Sequence, residues 1–139
     1  MASARPLSKG YPGYSETFPC VETSAATARR FVRIALATWQ MDPYMDTGAL
    51  LVSELVANAV RHTNSRVIRV VVTRPDDVRF RVGVTDKAGT ALPELRTHMG
   101  LTVDGRGLVL IETLSDRWGW DQYRWGKHVW AEVKVKERP

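Results

Sequence analysis

The chain of 139 residues has a single cysteine, Cys20. One thiol can build neither an intramolecular disulfide framework nor a cysteine-rich zinc site, and its scarcity fits a reducing, cytoplasmic compartment. Long apolar runs are also missing. The longest fall far short of the ~20 residues of a membrane-spanning helix, so no membrane attachment is expected. Met1 to Gly10 carries basic residues with no apolar segment behind them, and no secretory signal is expected there. There is no internal repeat and no low-complexity block. Charge of one sign is not gathered into a run: the net charge of +5 is spread over most of the chain. That distribution reads as a mildly basic solvated surface rather than a nucleic-acid footprint. The composition that remains, 44% hydrophobic and 25% charged, is that of one ordinary globular domain.

Residues 1–16 mix Pro, Gly, Ser and Tyr without an apolar period, which predicts a flexible N-terminal arm followed by one domain over 17–139. Thr17 to Glu22 suits a short edge strand, because Pro19 tolerates little else. From Ser24, an N-cap residue type, Ala28, Phe31, Ala35 and Trp39 recur at helical spacing until Asp42-Pro43 breaks the run. A second helix is expected from Asp46 to about His62, with Leu51, Leu55, Val56, Ala59 and Val60 as a wide apolar face. Arg66–Arg74 and Val78–Thr85 then predict a hairpin turning at Pro75-Asp76-Asp77. In its second strand Val78, Phe80, Val82 and Val84 alternate with Arg79, Arg81, Gly83 and Thr85. One sheet face is therefore buried and the other left open, which argues for two layers and against a three-layer dinucleotide-binding fold. Residues 87–104 have the length of a lid loop. A short helix from Gly105 to Leu114 follows, and strands over 116–121 and 129–135 close the domain around a turn at Gly126-Lys127.

Three groups of residues could carry chemistry. Glu54, Asn58 and His62 lie at i, i+4 and i+8 along one edge of the second helix, with Arg61 beside them. An amide oxygen can ligate Mg²⁺ and a carboxylate can take a proton or orient an attacking group. On spacing alone, a solvated helix edge explains the set as well. Asp86 ends a buried strand, where it can accept hydrogen bonds from an exocyclic amine, and Gly89 after it lets backbone approach a ligand; a turn-starting aspartate is the plainer explanation. Asp104-Gly105-Arg106-Gly107-Leu108 opens a helix, so its amides and Arg106 suit an anion. It is not a Walker loop, since no Gly-Lys-Ser/Thr follows, and it lacks the third glycine of a dinucleotide fingerprint.

The order of these features along the chain resembles the N, G1 and G2 boxes of the GHKL ATPase superfamily, the gyrase, histidine-kinase, chaperone and mismatch-repair ATPases. SELVANAVRHT, GRGLVLIETLSDRWGW and GKHVW look closest to its bacterial anti-sigma-factor serine/threonine kinase branch, over roughly residues 17–135. The resemblance implies an α+β, two-layer α/β sandwich of the Bergerat type: a mixed, mostly antiparallel sheet with helices on one face. It implies ATP and Mg²⁺ as cofactors, Glu54 as the catalytic base or orienting carboxylate, and Asn58 as the Mg²⁺ ligand. Arg61, His62, Asp86, Gly89, Gly105, Arg106, Gly107 and Leu108 would bind the nucleotide, Asp86 reading the adenine amine. The activity implied is phosphorylation of an anti-sigma-factor antagonist of the STAS type, with a sigma factor as second partner. The chain departs from the family pattern at Ala88 and Thr90, where the G1 box usually has glycines, and at His128, where the late strand often has threonine. Those departures keep open an alternative, a catalytically weak module of the same fold that binds protein in a nucleotide-dependent way.

One aromatic feature falls outside these boxes. Trp118 and Trp120 share strand parity, and Trp130 lies on the last strand, so a Trp/Arg surface with Arg79 and Arg81 on the open sheet face is one outcome. Such a face would serve a partner or a homodimer; packing of the tryptophans against the N-terminal arm or into the core is the other outcome. A nucleic-acid-binding role for the same face would make binding salt-sensitive and indifferent to Asn58.

Overall fold

The computed structural model describes residues 5–6, 12–87 and 106–135. Its elements run β1 (Arg5–Pro6), β2 (Gly13–Pro19), α1 (Ser24–Thr38), a 3-10 turn (Asp42–Tyr44), α2 (Met45–His62), β3 (Val67–Asp76), β4 (Arg79–Asp86), α3 (Arg106–Leu114), β5 (Arg117–Tyr123) and β6 (Gly126–Lys134). The strands form one sheet in the order β1-β2-β3-β4-β6-β5, and every described ladder is antiparallel. The expected α+β, two-layer sandwich is therefore what forms, without a parallel member among the described strands.

Alternation in β3, β4 and β6 decides which side the helices cover. Ile68, Val70, Val72, Phe80, Val82, Val84, Val129, Ala131 and Val133 all point to one face and are buried there. Against them α2 sets Leu51, Val52, Leu55 and Val56, each no more than 1% exposed. Burying each such side chain is worth about 1.5–3 kcal/mol before entropy is charged against it. α1 packs on α2 and on β2 and β3, and α3 packs on α2. Arg29 donates to the Ser53 hydroxyl at 2.9 Å and Arg33 pairs with Asp46 at 3.0 Å, tying the first two helices together.

Several expectations are corrected. The first long strand begins at Gly13 rather than Thr17, so the boundary drawn at residue 16 falls inside β2. Tyr14 and Phe18 both turn to the helices, where Tyr14 stacks on Trp39 at 5.8 Å and Phe18 meets Phe31 edge-on at 6.2 Å. β1 pairs on the outside of β2 only at Tyr14 and Ser15, so Thr17 to Pro19, as expected for a stretch with proline, keep one open side among the described residues. Ser24 is not the cap of α1. Thr23 holds that position without a side-chain bond, and the Ser24 hydroxyl donates instead to the Pro19 carbonyl. The β3–β4 turn lies at Asp77-Val78, with Pro75 absorbed into an irregularity of the ladder between Thr73 and Asp76. A bulge is where a strand can accommodate a residue that has no N–H. No described helix is long and apolar enough to cross a membrane.

Candidate functional site

The chain path brings the polar residues of α2 and β4 to one end of the sheet. α2 stops at His62, a short connection over 63–66 follows, and the second residue of β3, Ile68, pairs with Asp86 at the end of β4. The last turns of α2 and the carboxylate of Asp86 therefore share that end.

Along α2 the expected polar edge divides. Glu54 and His62 are half-buried and Arg61 is exposed, but Asn58 is only 2% exposed, set among the buried apolar residues Leu55 and Ala59. Its Oδ1 is buried and has no hydrogen-bond partner among the described residues. Leaving such an oxygen unpaired costs about 1–3 kcal/mol, so its retention asks for an explanation other than stability. A hard cation supplies one. Mg²⁺ takes one or two protein oxygens and completes its shell with waters and phosphates. A single amide oxygen fits that mode, and among the described residues no group of three His, Cys, Asp or Glu offers a protein cage for a metal. The residues present fit a Mg²⁺–phosphate ligand.

Asp86 is 2% exposed, and its carboxylate faces the helix layer, where the ammonium of Lys127 lies 3.3 Å from Oδ2. Lys127, itself 2% exposed, is a site residue the sequence reading did not pick out. The late-strand departure at His128 takes on a different meaning here. The β5–β6 turn is at Arg124-Trp125 rather than Gly126-Lys127, so Lys127 points to the Asp86 side of the sheet and His128 to the other. His128 approaches Thr85, with Nδ1 at 2.7 Å from the hydroxyl. Burial lowers its pKa from the ordinary 6.5, with Asp121 opposing and Arg81 reinforcing the shift. Its exchange for threonine therefore does not touch the Asp86 side. Gly126 fits because a Cβ there would sit 2.1 Å from the Asp86 carbonyl oxygen. Cys20 lies within electrostatic reach of the same ion pair: burial first, then the Asp86 carboxylate, push its thiol up, while Lys127 pulls it down. A thiol so shifted stays protonated and unreactive near neutral pH.

Residues 18–133 match the family model of the histidine kinase-like ATPase domain. The chain belongs to that family. No curated protein matches it. Membership makes this a nucleotide-binding, ATPase-like domain, and the buried Asn58 oxygen is compatible with such a ligand. Of the other anticipated residues of the ATPase domain, Gly89 and Gly105 lie outside the described residues, as do Ala88 and Thr90. Arg106, Gly107 and Leu108 form the first turn of α3, whose backbone packs toward α2. Trp118 and Trp120 pack against the core, so of the three tryptophans considered only Trp130 belongs to the open face.

Proposed function

We propose that this ATPase-like domain is an ATP-dependent serine/threonine protein kinase of cytoplasmic partner switching. It phosphorylates a STAS-type anti-sigma-factor antagonist and takes a sigma factor as its second partner. The observation that carries the ATP-using part is the unpartnered, buried Oδ1 of Asn58 on the helix that also bears Glu54. The kinase part rests on the resemblance of SELVANAVRHT and GRGLVLIETLSDRWGW to that branch.

In this reading Asn58 Oδ1 is the protein ligand to Mg²⁺, and the metal supplies charge neutralisation for the phosphates. Glu54, half-exposed one turn earlier, accepts the proton of the incoming hydroxyl. Asp86 accepts the exocyclic amine of the base, while Lys127 balances the charge that burial makes expensive. Backbone amides at the start of α3 face the phosphates, as helix N-termini do. Incubating the chain with Mg-ATP and its cognate antagonist, followed by intact-mass measurement, should show one added phosphate on the antagonist. Binding of the antagonist without transfer would refute the kinase reading.

One observation favours the second reading, a nucleotide-dependent binding module without useful catalysis. The Asp86 carboxylate is already engaged by Lys127, so a base amine would have to share it. That module predicts an ATP-dependent complex with the antagonist and no transferred phosphate.

A further inference from the structure

The sheet face turned away from the helices is built with unusual definition for a surface opposite the nucleotide layer. Trp130 and His128 both lie flat on it. Each ring occupies the space over a glycine on the neighbouring strand: a Cβ on Gly119 would meet Trp130 at 3.0 Å, and one on Gly83 would meet His128 at 2.4 Å. Arg81 stacks over the Trp130 ring at 4.2 Å, and Arg117 stands 5.9 Å from its centroid. Both guanidinium groups also pair with Glu132, Arg81 at 2.9 Å and Arg117 at 2.8 Å. The Glu132 side chain is only 3% exposed, whereas that of Arg117 is 64% exposed. One carboxylate thus fixes two cations whose outer N–H groups remain available. Further along the same hairpin, Tyr123 and Trp125 stack at 4.8 Å and are 42% and 47% exposed.

We infer that this face is a docking surface for an acidic segment of another protein. Trp, Tyr and Arg are the residue types that dominate binding hot spots, and here they are held in place before any partner arrives, which lowers the ordering cost of association. Charge selects the occupant. Among the described residues of this face, Arg69, Arg79, Arg81, Arg117 and Lys134 outnumber Asp76, Asp121 and Glu132. A second copy would present the same excess of positive charge and be repelled face to face. A single-stranded nucleic acid would need a series of open ring faces to stack on, but Trp130 has Gly119 beneath it and Arg81 above it, and Tyr123 and Trp125 already stack on each other. Carboxylates meet the forked guanidinium groups without either obstacle.

The test uses the full chain and a fluorescein-labelled peptide of alternating Glu and Leu as the acidic probe, followed by anisotropy at two salt concentrations. Arg117→Glu should weaken binding about tenfold. Arg30→Glu, which makes the same charge change on the far side of the molecule, should alter it less than twofold. Arg117→Gln, which removes the cation without reversing it, should weaken binding in the same direction and stands in if the reversal perturbs folding. Equal weakening by Arg117→Glu and Arg30→Glu would overturn the inference, because attraction to a basic chain would then explain the binding. Binding of a labelled oligothymidylate as tight as the peptide would overturn it in favour of nucleic acid. A dimer in sedimentation that Arg117→Glu dissolves would overturn it in favour of a second copy.

Discussion

Replacing Asn58 by alanine should make the nucleotide-free protein more stable, not less. The side chain is 2% exposed and its Oδ1 is unpaired, so the substitution removes a desolvation cost of about 1–3 kcal/mol. The atoms lost beyond Cβ leave a void of roughly 30 Å³, which at about 24 cal/mol per Å³ returns about 0.7 kcal/mol. Alanine's higher helix propensity offsets most of that, by about 0.6 kcal/mol in a helix interior. The net is a gain of about 1–3 kcal/mol. For a chain of 139 residues each kcal/mol moves the melting temperature by roughly 3–4 °C. Urea unfolding followed by far-ultraviolet circular dichroism would read the change as a higher midpoint at constant slope. Leu55→Ala, one turn away on the same buried face, should instead cost about 2–5 kcal/mol. Loss of more than ~1 kcal/mol in Asn58→Ala would refute the reasoning, since a stabilising amide at this position is a structural one. The same variant should also lose its response to ligand. Mg-ATP at about 100 times its Kd should stabilise the natural protein by about 2.7 kcal/mol and leave Asn58→Ala unmoved.

Glu54→Gln should bind Mg-ATP with the natural affinity and lose phosphoryl transfer to the antagonist by about 100-fold or more, the usual worth of a positioned base; single-turnover transfer against calorimetric binding separates the two effects. Lys127→Met removes the cation 3.3 Å from the buried Asp86 carboxylate and should lower stability in chemical denaturation by up to about 3–5 kcal/mol. Stability should also depend on pH through His128. Burial lowers its pKa in the folded state below the ordinary 6.5, so the unfolded chain takes up the proton first. The His128 contribution is complete above the unfolded value and is lost as pH falls from 6.5 toward the depressed folded value. Denaturation midpoints between pH 7.5 and 5 should fall less steeply in His128→Gln than in the natural chain.

The two-layer fold was legible because alternation in Phe80, Val82 and Val84 leaves no doubt about which sheet face is buried. The helix bearing Glu54 and Asn58 was legible for a similar reason, its apolar face being long and regular. Missing from the sequence reading was that Gly126, Lys127 and His128 belong to the last strand rather than to the turn before it. Gly126 looks like a turn residue, yet the turn is made by Arg124-Trp125, and the glycine is required by the close approach to the Asp86 carbonyl. Moving the turn back by two residues leaves the alternation of the strand unchanged but brings Lys127 and His128 into it, on opposite faces. The first half of β2 escaped notice because Glu16 interrupts the apolar face between Tyr14 and Phe18. Local spacing also made Asn58 look like part of a solvated edge; only its burial among Leu55 and Ala59 distinguishes it from Glu54.

The placement of the nucleotide at Asn58 is decided by isothermal titration of ATP into the natural chain and into Asn58→Ala, each with and without Mg²⁺. The natural chain should give saturable, Mg²⁺-dependent heat, and the folded variant none of that dependence. Equal Mg²⁺-dependent binding by both proteins would contradict the placement of the nucleotide site at this end of α2.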